Sequence, residues 1–334
     1  MTNRHNRVIA LRGLWGRLSL FCLLAMFSVV LLPSAPVAAQ EAAAPTWQIG
    51  IKLKPLINGH TSYEFGNPLP PYQQPLSRLE FPVDSVWAGP AIKKQLGRFA
   101  LGAEFLTTVA DQESGSFKDT DWGDNLNPAR VTTRGTADTR LEPSYQVGVD
   151  LAVQVADLLR LPSQFDLQPV IGYRWQQLSL VAHDGAQTDY TAAGTASSVQ
   201  LPGDLLSFEQ NWHQFFTGLR LGYAWQDLPS WLQRLNVQTQ LDWGYLEGDN
   251  RDNHLLRAGR ISTMETSGDA WHASLGLQFG LTEHLDLGIE ADYLKLTSTG
   301  THTLRDAGSV ASWSNGVKAR SEQIGLLLTV GYRY

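Results

Sequence analysis

Ile324-Gly325-Leu326-Leu327-Leu328-Thr329-Val330-Gly331-Tyr332-Arg333-Tyr334 closes the chain. Successive side chains of an extended strand point to opposite sides. Ile324, Leu326, Leu328, Val330, Tyr332 and Tyr334 therefore share one face, with Gln323, Gly325, Thr329 and Arg333 on the other. One face is apolar with an aromatic end, and the other is small and polar.

The same alternation recurs upstream. Leu285, Leu287, Ile289, Ala291 and Tyr293 oppose Asp286, Gly288, Glu290 and Asp292. Trp271, Ala273, Leu275, Leu277 and Phe279 oppose His272, Ser274, Gly276 and Gln278. Further segments centre on Leu241, Leu221, Tyr173 and Val149, and weaker ones lie near 47–57, 78–90 and 97–109. A polar face carrying charges on nearly every strand is a poor core for a soluble β-sandwich. It suits the lumen of a membrane barrel, whose outward face meets lipid. Aromatic residues cluster towards the strand ends, as an interfacial girdle requires. A strand that ends the chain on an aromatic residue also resembles the C-terminal signature of bacterial outer-membrane barrels.

The reading is an all-β fold: a transmembrane antiparallel β-barrel of about ten strands. Long connections are expected near 58–77, 110–141, 177–210, 248–268 and 298–320, and short ones near 91–96, 156–164, 226–233 and 282–284. Outer-membrane barrels carry short periplasmic turns and long extracellular loops, so five long loops would lie outside the cell.

Composition agrees. The 334 residues carry 26 Lys+Arg against 32 Asp+Glu, a formal net charge of -6 that argues against nucleic acid as a partner. Mean hydropathy is -0.19, and no apolar run long enough for a spanning helix follows the N-terminus. Residues 1–39 read as a secretory signal peptide: Arg4, Arg7, Arg12 and Arg17 precede an apolar stretch from Leu18 to Leu32, and Val37-Ala38-Ala39 offers a cleavage site. The barrel domain then spans 40–334. Cys22, the only cysteine, lies inside the leader, so the exported chain is expected to use neither disulfides nor a thiol nucleophile.

Two acidic constellations fall in the expected outer loops: Asp119-Thr120-Asp121-Trp122-Gly123-Asp124, and Asp252-Asn253-His254 preceded by Asp249 and Asn250. On an extended segment Asp119 and Asp121 face one side together, as do Asp252 and His254. The two hairpins lie four strands apart in a ten-stranded ring, so the pairs would oppose each other across the mouth. A His oriented by a carboxylate is a good general base. Two close carboxylates can hold a water and keep one proton between them. No Ser, Cys or metal is needed to attack a peptide carbonyl.

These stretches resemble the omptin family of outer-membrane aspartate-histidine endoproteases. Leu76-Ser77-Arg78-Leu79-Glu80-Phe81 resembles the family's Ser-x-Leu-Asp-Trp. Asp119–Asp124 with Asn127-Pro128 resembles Asp-Gln-Asp-Trp-Met-Asp and the following Asn-Pro. Gly244-Tyr245-Leu246-Glu247 through His254 resembles Gly-Trp-Val-Glu and Asp-x-His. The resemblance implies an outer-membrane endopeptidase of Gram-negative cells, with Asp119 and Asp121 as the aspartate couple and Asp252 with His254 as the dyad. It implies polypeptide substrates and a requirement for lipopolysaccharide, with no cofactor or metal. The family's basic-residue pocket uses a first-loop Glu and an Asp two places before the dyad Asp. Glu64 is the first-loop candidate, while Asn250 holds the second position, with Asp249 one place earlier. A non-catalytic barrel of the same architecture, an adhesin or structural protein, is the alternative.

Overall fold

The computed structural model describes residues 46–67, 73–109, 112–257 and 259–334. The leader read over 1–39, with Cys22, lies outside the described residues. The strands are β1 (Thr46–Asn67), β2 (Gln73–Pro82), β3 (Ser85–Leu96), β4 (Phe99–Thr108), β5 (Gln112–Asp121), β6 (Thr133–Leu141), β7 (Tyr145–Val153), β8 (Phe165–Tyr190), β9 (Ala196–Ala224), β10 (Arg234–His254), β11 (Ile261–Gly280), β12 (Leu285–Asp306) and β13 (Ser309–Arg333). They form one antiparallel sheet that closes where β13 pairs with β1.

The thirteen strands make ten staves. β1 pairs with β2 along its upper half and with β3 along its lower half, so β2 and β3 are one interrupted stave. β4 with β5, and β6 with β7, are broken in the same way. Closure removes the free edges that lipid would otherwise leave without hydrogen-bond partners.

Outward side chains are those of the apolar alternation. Ile51 pairs with Val330, Leu53 with Leu328, and Leu328 with Ile289; all are exposed and form an apolar belt suited to lipid. Trp47, Tyr332 and Tyr334 rim its lower end, where the Lys94 ammonium sits 4.3 Å from the Trp47 ring. The lower lumen is lined by paired charges: Lys52 with Glu104, Lys54 with Asp292, Arg220 with Asp150, and Arg234 and Arg333 with Asp286. Arg174 grips Asp242 through two bonds of 2.7 and 2.9 Å. Both Arg174 and Arg220 lie on the lumen face, as the alternation predicts.

Above this charged layer the lumen turns apolar. Tyr63, Phe81, Phe117, Phe208 and Trp212 join Leu79, Leu178, Leu246 and Leu296 in one buried cluster. Ring centroids of Tyr63 and Phe208, Phe208 and Phe81, and Phe81 and Phe117 are 4.6, 4.9 and 4.7 Å apart. The candidate site lies above this plug.

Two expectations are corrected. Most of the five stretches read as long loops are strand: the ladder of β8 and β9 continues to Tyr190↔Ala196, and that of β10 and β11 to Asn253↔Ile261. Above the membrane belt hydrophobic alternation fades while backbone pairing persists. The first short turn is Gly97-Arg98 rather than 91–96, which belong to β3; Gly97 takes φ 57° there, a conformation glycine adopts without cost.

Candidate functional site

The acidic pair of β5 and the Asp-x-His of β10 occupy strand ends rather than free loops. Asp119 pairs with Leu79 and Gly135, and Asp121 with Ser77 and Thr133. Leu79 is buried in the plug, so its partner Asp119 points inward, and Asp121 two residues on does the same. Gly135 makes room: a Cβ there would sit 3.3 Å from the Asp119 Cβ. The strand end is clamped by Trp122 N–H donating to Leu76 O at 2.9 Å and Thr132 N–H to Asp121 O at 2.8 Å. Asp124, the third acid of the motif, is used locally. It accepts from Arg130 at 2.7 Å and from Leu126 N–H at 2.9 Å.

On β10, Asp252 is buried on the face shared with Leu246 and Asn250. His254 Nε2 lies 3.2 Å from Asp252 Oδ2. A turn fixes the histidine: His254 N–H donates to Arg260 O, Arg257 N–H to His254 O, and Leu255 N–H to Leu205 O of β9. With Nε2 held by the carboxylate, Nδ1 carries the free lone pair.

The four residues share one electrostatic neighbourhood. Burial raises the Asp119 carboxyl to about 7, and the charges of Asp121 and Asp252 add to the rise. Asp121 is also raised, first by burial, against a hydrogen bond from Ser77 and the nearby Arg260, Arg257 and His254. Asp119 Oδ1 and Asp252 Oδ1 are buried without a hydrogen-bond partner among the described residues. The site therefore holds acceptors ready for a hydrogen-bonding guest, and near neutral pH the Asp119–Asp121 couple retains a proton. Among the described residues, no group of three or more His, Cys, Asp or Glu side chains is placed to hold a metal ion.

Glu64 and Asp249 are not brought to this cleft. The register of β1 shifts between Ile57 and His60, where Asn58 adopts φ 55°, and the inward parity changes. Tyr63 and Phe65 thereby enter the lumen cluster, while Glu64 turns outward and binds Arg78 at 2.7 Å. Asp249 is exposed on the face of β10 opposite Asn250 and Asp252.

Four residues that spacing alone did not single out complete the site. Ser77 steadies Asp121. Arg257 and Arg260 follow His254 closely and act on both aspartates. His302, its Nε2 3.1 Å from Ser262 Oγ, is packed between the tilted rings of Phe65 and Trp313 and lowered to about 4 by burial and Arg260, so it is neutral. Its signal was the inward alternation of β12, which is legible only once the register is known.

A family model described as the omptin family matches residues 74–334. The outer membrane protease OmpT from Escherichia coli superposes with a TM-score of 0.76 at 16% identity, covering 90% of this chain and 100% of that one. The outer membrane protein OprG from Pseudomonas aeruginosa matches with a TM-score of 0.33 at 12% identity, covering 87% of this chain and 96% of that chain. The translocator domain of the autotransporter NalP from Neisseria meningitidis gives 0.33 at 12% identity and covers 98% of both chains. No curated protein matches the chain by sequence.

Proposed function

Since the chain belongs to the omptin family, we propose that it is an outer-membrane endopeptidase that hydrolyses polypeptides at the open mouth of its barrel. The leader read over residues 1–39 would export it, and the belt would hold it in the outer membrane of a Gram-negative cell. Lipopolysaccharide is its expected lipid partner.

One observation carries the reading. Asp119 and Asp121 share an electrostatic neighbourhood with the Asp252–His254 pair, and unpartnered carboxylate oxygens stand on both sides. A water held between the pairs gives a proton to His254 Nδ1 as its oxygen bonds to the scissile carbonyl carbon. Asp252 orients the imidazole and stabilises its charged form. The proton of the aspartate couple, resting chiefly on Asp119, is donated to the developing oxyanion. As the tetrahedral intermediate collapses, the C–N bond breaks, the leaving nitrogen takes the proton from His254, and one of the two hydroxyl groups on the former carbonyl carbon returns its proton to the aspartate couple. A carboxylic acid and an amine result, and the enzyme returns to its starting state.

The mechanism has a pH signature. As pH rises through about 7, Asp119 ionises between Asp121 and Asp252 and loses the proton offered to the oxyanion. The kcat/KM profile is therefore expected to fall on its alkaline side near that pH.

The test is cleavage of a mixed peptide library by refolded full-length chain with lipopolysaccharide, followed by mass spectrometry, alongside the His254→Ala and Asp119→Ala variants. Cleavage lost in both variants supports the endopeptidase. A folded wild type that cuts nothing would leave a non-catalytic barrel, an adhesin or structural protein.

A further inference from the structure

The side chains that flank Asp252 and His254 on the inner wall carry no negative charge. Among the described residues they include Phe208 and Gln210 of β9, Asn250 of β10, Met264 and Ser262 of β11, the latter the cross-strand partner of Asp252, and His302 of β12, all buried. Asn250, Met264 and His302 are consecutive cross-strand partners, and Asn250 also pairs with Gln210. The wall is continuous, and its only ionisable member, His302, is neutral.

The unsatisfied groups at these rungs are donors. Asn250 Oδ1 accepts from Asn211 N–H at 3.1 Å, which leaves Asn250 Nδ2 without a partner. Gln210 Oε1 accepts from the Trp212 indole N–H at 3.3 Å, which leaves Gln210 Nε2 likewise. The indole and the backbone amide can only donate, so both amide orientations are fixed by chemistry. Arg260 Nε is also buried without a partner, although its Nη1 lies 3.7 Å from Asp306.

Positive charge stands at the rim itself. Arg257 is exposed, three residues beyond His254, on the turn whose hydrogen bonds fix that histidine. Among the described residues it makes no ion pair. Its charge and that of Arg260 reach both Asp119 and Asp121. A Lys or Arg side chain entering beside the scissile bond would meet the exposed guanidinium of Arg257, with that of Arg260 beside Asp306 behind it, and an inner wall without negative charge among the described residues. A carboxylate would meet a free guanidinium able to bind it in a bidentate fork.

We propose that the cleft selects peptides carrying a carboxylate side chain within one residue of the scissile bond, with Arg257 as its anchor and Arg260 in support. The proposal rests on the endopeptidase reading for what happens after binding, but the selection itself is a property of the cleft.

Binding and cleavage therefore need separate measurement. Peptides identical except for Glu, Gln or Lys beside the central bond are titrated by fluorescence anisotropy onto the full-length His254→Ala chain, with and without a second change, Arg257→Glu. Cleavage of the same series by the chain with His254 intact is read by mass spectrometry. The Glu peptide is expected to bind about fivefold more tightly than the Lys peptide, as a partly exposed charge pair allows, with the gap narrowing at high salt. Arg257→Glu is expected to reverse the order. Equal binding across the series, a preference for Lys, or an order unchanged by Arg257→Glu would overturn the selection. Acid-selective binding without cleavage would retain the selection and remove the endopeptidase reading. Absence of binding by every peptide would overturn both.

Discussion

β10 carries the aspartates of two Asp–His pairs, ten residues apart, and the pairs differ in what surrounds the carboxylate. Asp242, low in the lumen, accepts two bonds from Arg174 and lies 2.8 Å from His272 Nδ1. Gln240 adds a further donor at 2.6 Å. Every direction around that carboxylate is filled by a cation or a donor, so the pair is a fixed part of the wall. Asp252, at the mouth, lies 3.2 Å from His254, with no arginine bound and one oxygen unpartnered. Its charge acts on Asp119 of β5. The same two side chains are thus a tie in one setting and a pair with an unfilled carboxylate oxygen in the other. What separates them is whether a guanidinium neutralises the carboxylate within the protein.

The contrast can be broken from either end. Removing the open pair's base should have the largest effect: His254→Ala is expected to lower kcat/KM by about 10²–10⁴-fold with unfolding in urea unchanged. Peptide kinetics and an unfolding curve on one preparation would check both halves. At the filled pair, Asp242→Ala strands the Arg174 charge in the lumen. It is expected to cost about 3–5 kcal/mol of stability, read as a lower urea midpoint in lipid vesicles.

Asp119→Asn should do the reverse at the mouth. The folded-state carboxyl titrates near 7 and the unfolded one near 4. The native chain therefore holds the extra proton between those values, and its stability falls as pH rises from about 4 to about 7. The variant should lose this slope and, at pH 8, be more stable than wild type by about 1–3 kcal/mol while inactive. Unfolding curves at pH 5 and pH 8 would check the sign. The smallest effect is expected at His272→Ala, where kcat/KM should change by no more than about threefold because Arg174 still holds Asp242. A large loss there would mean that the two pairs are not functionally distinct.

The barrel could be read from the sequence because lipid imposes a period of two wherever a strand crosses it. Ile324 to Tyr334 and Leu285 to Tyr293 carry that period cleanly. It is lost above the belt, where β8 and β9 run to Tyr190 and from Ala196 with polar residues on both faces, and only the backbone ladder keeps them extended. The catalytic candidates were legible because spacing by two survives on any extended segment, in loop or ladder. The pocket candidates were not. One register shift beside Asn58 decides whether Glu64 or Phe65 faces inward, and one residue separates outward Asp249 from inward Asn250. Parity counted from a motif is reliable only as far as the next bulge.

The aromatic stack of Tyr63, Phe208, Phe81 and Phe117 also sets the direction of traffic. Because the buried cluster lies across the barrel between the mouth and the charged lumen, it acts as an electrical insulator as well as a floor. Whatever enters the mouth must leave by it, and a planar bilayer holding the protein should show no steady ion current. The mouth is thus a closed cup rather than a pore.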